Sequence, residues 1–193
     1  MNIMKSLKGS LLIASPNLTD PNFHRTVVFV AEHNEEGAFG LVINRPTETR
    51  VAQLWRSLSN EECTSTAHAF VGGPVQKNAL LLLHGHSDLS PEAEPVIPGV
   101  FLGSEVEMLG ELLKREAKSH PTTEVKFRVF CGYAGWGAGQ LDDEMKAGGW
   151  LTCPATSEHV FHAVPEKLWN IVMESLGGVC RFFALMPRNP EEN

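Results

Sequence analysis

Thr26–Asn44 reads TVVFVAEHNEEGAFGLVIN. Its ends, Thr26–Ala31 and Phe39–Asn44, are rich in the β-branched and aromatic residues that suit a pleated backbone. Between them Asn34–Gly37 supplies turn-forming residues, so the stretch predicts a β-hairpin. Upstream, Ser10–Ser15 is a short apolar run ended by Pro16, and Asp20-Pro21-Asn22 marks a turn. Downstream, VAQLWRSL (Val51–Leu58) predicts a short helix with Leu54, Trp55 and Leu58 on one stripe. Ala69-Phe70-Val71 and Leu80–Leu83 flank Gly72-Gly73-Pro74 as two more strands. The unbroken leucine run fits a strand covered on both faces.

Two further helices carry clearer signals. Ser104 and Glu107 have capping-box spacing, and Val106, Leu109, Leu113 and Ala117 follow at helical intervals. Pro165 suits the first turn of the other helix, whose buried stripe reads Leu168, Ile171, Val172 and Leu176 before Gly177-Gly178 stops it. Between these helices the sequence predicts a strand at Val125–Cys131, a glycine-rich turn, a short helix around Leu141–Ala147 and a strand at Trp150–Cys153. Strands gather in hairpins before helices appear. That order predicts an α+β fold with a mixed, largely antiparallel sheet and flanking helices, rather than a doubly wound parallel one.

A chain of 193 residues fits one domain over 1–193, with a polar, proline-broken tail at 187–193 expected to fray. With 42% hydrophobic and 20% charged residues, wholesale disorder is excluded. A formal charge of −7 disfavours sequence-independent attraction to nucleic acid. No run approaches the roughly 18 apolar residues of a membrane span. Leu11–Ala14 is too short for a secretory core of about 7–15 residues, so a cytoplasmic protein is expected. Cys63, Cys131, Cys153 and Cys180 are widely spaced and read as free, mostly buried thiols.

The stretch FCGYAGWGAGQL (Phe130–Leu141) admits two readings. Backbone amides of Gly132–Gly139 could cradle an anion before a helix, or the glycines could serve a tight turn with Tyr133 and Trp136 on the core. Gly-Lys-Ser/Thr is absent, and Gln140 stands where a dinucleotide fingerprint needs glycine. His84 and His86 share a strand face, but a pair without a third ligand makes no metal site, so no metal and no cofactor is expected. Arg25 and Arg45 sit near Asp20, Asn22 and Asn44 at strand ends. They could hold a carboxylate or phosphate, bridge to an acid, or cap backbone carbonyls. Asp142, Asp143 and Glu144 read as acids complementing a helix start. Ser15 and Cys131 lack an identifiable base, and the Ser-x-x-Lys, Gly-x-Ser-x-Gly and His-Glu-x-x-His motifs are all missing.

Four ordered blocks carry a family resemblance: Leu11–Pro46, Gly72–Val75 with the leucine run to His84, GYAGWGAGQLDDEM (Gly132–Met145), and WLTCPA (Trp150–Ala155). On these the chain resembles the YqgE/AlgH family of bacterial proteins. The resemblance implies an α+β fold with a pseudo-barrel-like sheet, no established biochemical activity, and a proposed regulatory role in transcription. Nothing in the chain resembles a helix-turn-helix, so direct DNA binding is not expected.

The reading favours a non-enzymatic regulatory or interaction protein with a protein partner. The alternative is a binding protein or enzyme for a small anionic ligand, using Arg25, Arg45 and the Gly132–Gly139 turn. The candidate ligand or partner surface comprises Asp20, Asn22, Arg25, Asn44, Arg45, His84, Tyr133, Trp136 and Gln140. Whether they share one pocket separates the two.

Overall fold

The computed structural model describes residues 6–18, 20–119 and 125–186, so the expected fraying of 187–193 lies outside the described residues. Among these residues the strands are β1 (Ser10–Ala14), β2 (Val27–Asn34), β3 (Gly37–Val42), β4 (Pro46–Arg50), β5 (His68–Val71), β6 (Val75–His84), β7 (Phe101–Gly103), β8 (Phe127–Gly137) and β9 (Trp150–Pro154). The helices are α1 (Val51–Ser59), α2 (Val106–Lys118), α3 (Gln140–Lys146), α4 (Ser157–Val160), α5 (Leu168–Leu176) and α6 (Gly178–Ala184). Short 3₁₀ turns lie at Ser87–Leu89 and Pro165–Lys167.

The strands run in the order β4-β5-β8-β3-β2-β1-β9, with β6 pairing both β7 and β8. All the strand pairs are antiparallel except β5–β8, which is parallel. The fold is therefore α+β with a mixed, largely antiparallel sheet. Its path is open, ending at β4 and β9, so the barrel-like curvature implied by the family stops short of closure.

Continuous apolar runs occur because successive side chains enter different cores. Leu11 and Ile13 join Phe29, Leu41 and Phe130 under Trp169, Val172 and Met173 of α5. Leu12 and Ala14 face the other way, with Val28, Val30, Trp136 and Trp150. The leucine run divides in the same manner: Leu83 and Leu81 belong to the first cluster, while Leu82 and Leu80 pack with Val51, Trp55, Leu109 and Leu112 of α1 and α2. Alternation across a pleat buries both faces, which accounts for the leucine run.

The hairpin forms as expected, but tighter. β2 extends to Asn34 and pairs with Gly37, leaving Glu35-Glu36 as the turn, with Asn34 Oδ1 accepting the Glu36 N–H at 2.8 Å. Several local expectations need correction. Leu58 is exposed, so the buried residues of α1 are Val51 and Trp55. The N-cap of α2 is Glu105, with no side-chain capping bond, because the helix begins one residue beyond the start that a capping box on Ser104 requires. Ile171 is exposed, and α5 buries Trp169 and Met173 beside Leu168 and Val172. β4 and β7 escape a hydrophobic pattern search, one being polar and the other three residues long.

The largest correction concerns the glycine-rich stretch. Gly132–Trp136 is not a turn: it is the middle of the eleven-residue β8, and the chain reverses only at Ala138-Gly139. Gly132 takes φ +74° where the register against β6 shifts between Val75 and Leu80. That left-handed backbone suits glycine. Beyond it Ala134 and Trp136 point inward, while Gly135 and Gly137 point to solvent.

Candidate functional site

Five of the candidate residues converge in one place. Asp20 Oδ1 accepts the backbone N–H and the side-chain N–H of Asn22 at 2.8 and 3.0 Å, fixing the loop before β2. Arg45 donates to the carbonyls of Asn22 at 2.6 Å and His24 at 2.9 Å. The buried Asn44 bridges the same segment: its Oδ1 accepts the Val27 N–H at 2.8 Å, and its Nδ2 donates to the Arg25 carbonyl at 2.9 Å. Arg25, at φ +50°, is held in a conformation unusual for a residue with a side chain. Its guanidinium donates to the Met186 carbonyl at 2.7 Å and lies 4.8 Å from the Trp169 ring centroid. Of the roles open to these arginines in the sequence, capping carbonyls is one that both perform. Beside them opens a cleft of about 460 Å³ lined by His24, Arg25, Asn44, Arg45, Pro46, Val71 and Glu166.

Trp136 and Gln140 belong to a second group. The indole N–H groups of Trp136 and Trp150 both donate to Glu144 Oε2, at 2.9 and 2.8 Å. Gln140 donates to Glu144 Oε1 at 2.9 Å and accepts the Gly137 N–H at 3.1 Å. Glu144 is thus a structural acceptor for two buried indoles, a role hidden in the sequence because its neighbours Asp142 and Asp143 account for an acidic helix start by themselves. Acids near an α3 start remain in Asp142 and Asp143, and His33 Nε2 lies 3.7 Å from Asp142 Oδ2. His33 Nδ1 accepts the Leu7 N–H at 3.1 Å, so the ring proton lies on Nε2, facing the carboxylate. Phe23 ties the first group to the second: it stacks on Trp136 with centroids 6.1 Å apart and meets Trp150 edge-on at 5.3 Å.

Tyr133 lies elsewhere, against Phe39 at 5.0 Å and the α5 side of the core. His84 is separate again, fully buried, stacked on Phe101 at 5.6 Å and 3.3 Å from Ser90 Oγ. Its Nδ1 accepts the His86 N–H at 3.3 Å. Burial, first of all, keeps both imidazoles below the ordinary histidine range. His86 is half-buried, and its Nε2 has no hydrogen-bond partner. Among the described residues no group of three or more His, Cys, Asp or Glu side chains could hold a metal ion. The nine candidates therefore do not form one pocket.

The chemistry available at the remaining candidates is limited. Amides of the glycine stretch do not form an anion cradle, since Gly37–Gly40 of β3 pair with Gly137–Ala134 of β8. The depression beside Trp136 carries Glu32 and Glu36, which repel anions. Ser15 Oγ donates to the Gly148 carbonyl at 2.8 Å. Burial pushes the thiols of Cys131 and Cys153 up, which lowers their thiolate fraction. All four cysteines are free. No helix among the described residues is long and apolar enough to cross a membrane.

Comparison with known proteins agrees with this architecture. A UPF0301 protein of Chlorobaculum tepidum is 41% identical over 185 residues, covering 96% of this chain and 95% of its own. A UPF0301 protein of Myxococcus xanthus is 39% identical over 176 residues, covering 90% and 93%. The solution structure of the AlgH protein from Pseudomonas aeruginosa superposes with a TM-score of 0.71 at 32% identity, covering 97% of this chain and 98% of that one. A crystal structure from Corynebacterium diphtheriae, 20% identical with a TM-score of 0.73, shares the fold over 96% of this chain and 95% of its own. The AlgH-like family model, DUF179, matches residues 11–181, and the chain belongs to that family.

Proposed function

We propose that this chain is a non-enzymatic interaction protein that presents the loop pair 20–25 and 44–46 to a protein partner, in a regulatory role. The supporting observation is the way Asp20, Asn44 and Arg45 spend their polar groups on the loop itself. A loop fixed by its own side chains loses little entropy on docking, which favours recognition of a macromolecular surface. Nucleophilic catalysis would instead call for a nucleophile paired with a base, whereas the Ser15 hydroxyl is engaged by the Gly148 carbonyl and partial burial raises the Cys131 thiol.

The test uses exposed residues of the loop, because Arg25 and Trp136 are structural. Asn22 and His24 are exposed. A photo-crosslinking residue at the exposed position 21 should capture one specific protein, and Asn22→Ala with His24→Glu in the same chain should abolish capture while circular dichroism is unchanged. Capture indifferent to both changes would remove the loop pair from the interface.

The cleft beside Arg25 and Arg45 supports a second reading, a small anionic ligand. A carboxylate or phosphate ester bound there at large excess should stabilise the fold by about 2–4 kcal/mol. A metabolite panel without a thermal shift counts against it. Direct DNA binding sits poorly with the net charge of −7, and should betray itself by steep salt dependence.

A further inference from the structure

Where α5 and α6 meet, the chain leaves an apolar surface uncovered. Cys180, Phe183 and Ala184 of α6 pack inward on the core. Val179 and Phe182 lie on the opposite side and are 68% and 70% exposed, with Leu185 at 71% and Met186 at 52% just past the helix end. Together with Ile171 of α5 they leave roughly 500 Å² of apolar side chain open, a size that marks an interaction site on a soluble protein. A groove of about 550 Å³ runs along α5 and the end of α6, walled by the apolar Ile171, Leu185 and Met186 and by polar groups that include Arg25, Lys167 and Glu174. The same end of the molecule therefore carries a projecting aromatic side chain, Phe182, and a groove whose walls are part apolar and part charged.

We propose that this face is the interface of a two-fold symmetric dimer, its occupant being a second copy of the chain. An apolar face of this size is covered by the same face of a second copy, and a two-fold axis closes the contact without leading to a fibre. Two such faces remove about 1,000 Å² from water through these side chains alone, the scale needed for a specific interface. The charges at the rim are self-complementary as well. Glu174 of α5 and Arg181 of α6 are both exposed and of opposite sign, so a two-fold contact can set each against the other's copy. The segment after Met186 reads PRNPEEN, polar and twice interrupted by proline, a composition unsuited to sealing an apolar face. The inference goes beyond the loop-pair interface proposed above, which this face adjoins at Arg25.

Sedimentation of the full chain across a concentration series tests it, with circular dichroism as a control for folding. The wild-type chain should show a reversible monomer–dimer equilibrium. Phe182→Glu and Leu185→Lys, both at exposed positions, should each weaken it by at least about 30-fold, the size of a hot-spot loss. Arg181→Glu and Glu174→Arg should weaken it singly and restore it when combined. A wild-type chain that is monomeric throughout, or a dimer indifferent to both apolar variants, overturns the proposal. A chain that dimerises only after removal of residues 187–193 also overturns it, since that segment would then be the occupant.

Discussion

Trp136 donates its indole N–H to Glu144 at 2.9 Å, turning the most conspicuous aromatic of the glycine-rich stretch into a structural side chain. Trp150 shares the same oxygen. Glu144→Ala leaves two buried donors unsatisfied and should cost about 3 kcal/mol, because each orphaned group carries a desolvation penalty of about 1–3 kcal/mol. Glu144→Gln retains an oxygen acceptor and should cost about half as much. Urea unfolding of the two variants separates these outcomes, and equal losses would show that the indoles do not depend on this acceptor.

Asn44 fastens β2 to the loop that precedes it. Asn44→Ala removes both the acceptor for the buried Val27 N–H and the donor to the Arg25 carbonyl. A loss of about 2–3 kcal/mol is expected. Hydrogen exchange should accelerate at residues 20–27 more than in α2. Uniform acceleration would mean that the loop is not a separate unit of stability.

The glycines before β6 leave no room for a side chain. A Cβ on Gly72 would lie 2.1 Å from the Gly132 carbonyl oxygen, and one on Gly73 would lie 2.1 Å from the Tyr133 carbonyl carbon. Both obstacles are backbone, so β8 itself must shift. Gly72→Ala should cost upwards of about 4 kcal/mol or prevent folding. Gly139 has open space but φ +72°, so Gly139→Ala should cost about 1 kcal/mol. Soluble yield and midpoint denaturation of the two variants test this ordering.

Acid should destabilise the fold through one buried and two half-buried imidazoles. His84, His86 and His159 are kept below the ordinary value of 6.5, with burial the leading cause for each. Below about pH 6.5 the unfolded chain takes up protons that the folded chain resists, so stability falls as pH falls through that window and levels off above it. Arg115 opposes protonation of His84 and His86, whereas Asp88, held by Arg115 below the usual carboxylate range, favours it. Melting temperature against pH should show this slope, and His84→Gln should flatten it. An unchanged slope would place the effect on other groups.

Much of the fold was legible because its apolar runs are long and its hairpin turn is polar. The α+β order and seven of the nine strands found among the described residues followed from Ser10–Ser15, Thr26–Ala31, Phe39–Asn44, Ala69–Val71, Leu80–Leu83, Val125–Cys131 and Trp150–Cys153. Gly132–Gly137 misled, because glycine content concealed the alternation of Ala134 and Trp136 with outward glycines. The candidate site was legible in part. Asp20, Asn22, Arg25, Asn44 and Arg45 come together because they flank strands that are neighbours in the sheet. His84, Tyr133 and Trp136 separate because β6 and the two sides of β8 serve different cores. Glu144 was hidden for a related reason: its partners are fixed by the return of β9 toward α3, which local sequence does not encode.

Trp169 donates its indole N–H to the Ala14 carbonyl, 155 residues away in sequence, and β1 takes β9 as its outer neighbour. The first strand of the fold therefore waits for nearly the last elements to be synthesised. Until β9 and α5 emerge, Leu11–Ala14 presents an apolar edge able to pair with another nascent chain. Late, long-range closure of this kind slows folding. Chains shortened ahead of Trp150 should aggregate during synthesis even though every residue of the loop pair is already in place.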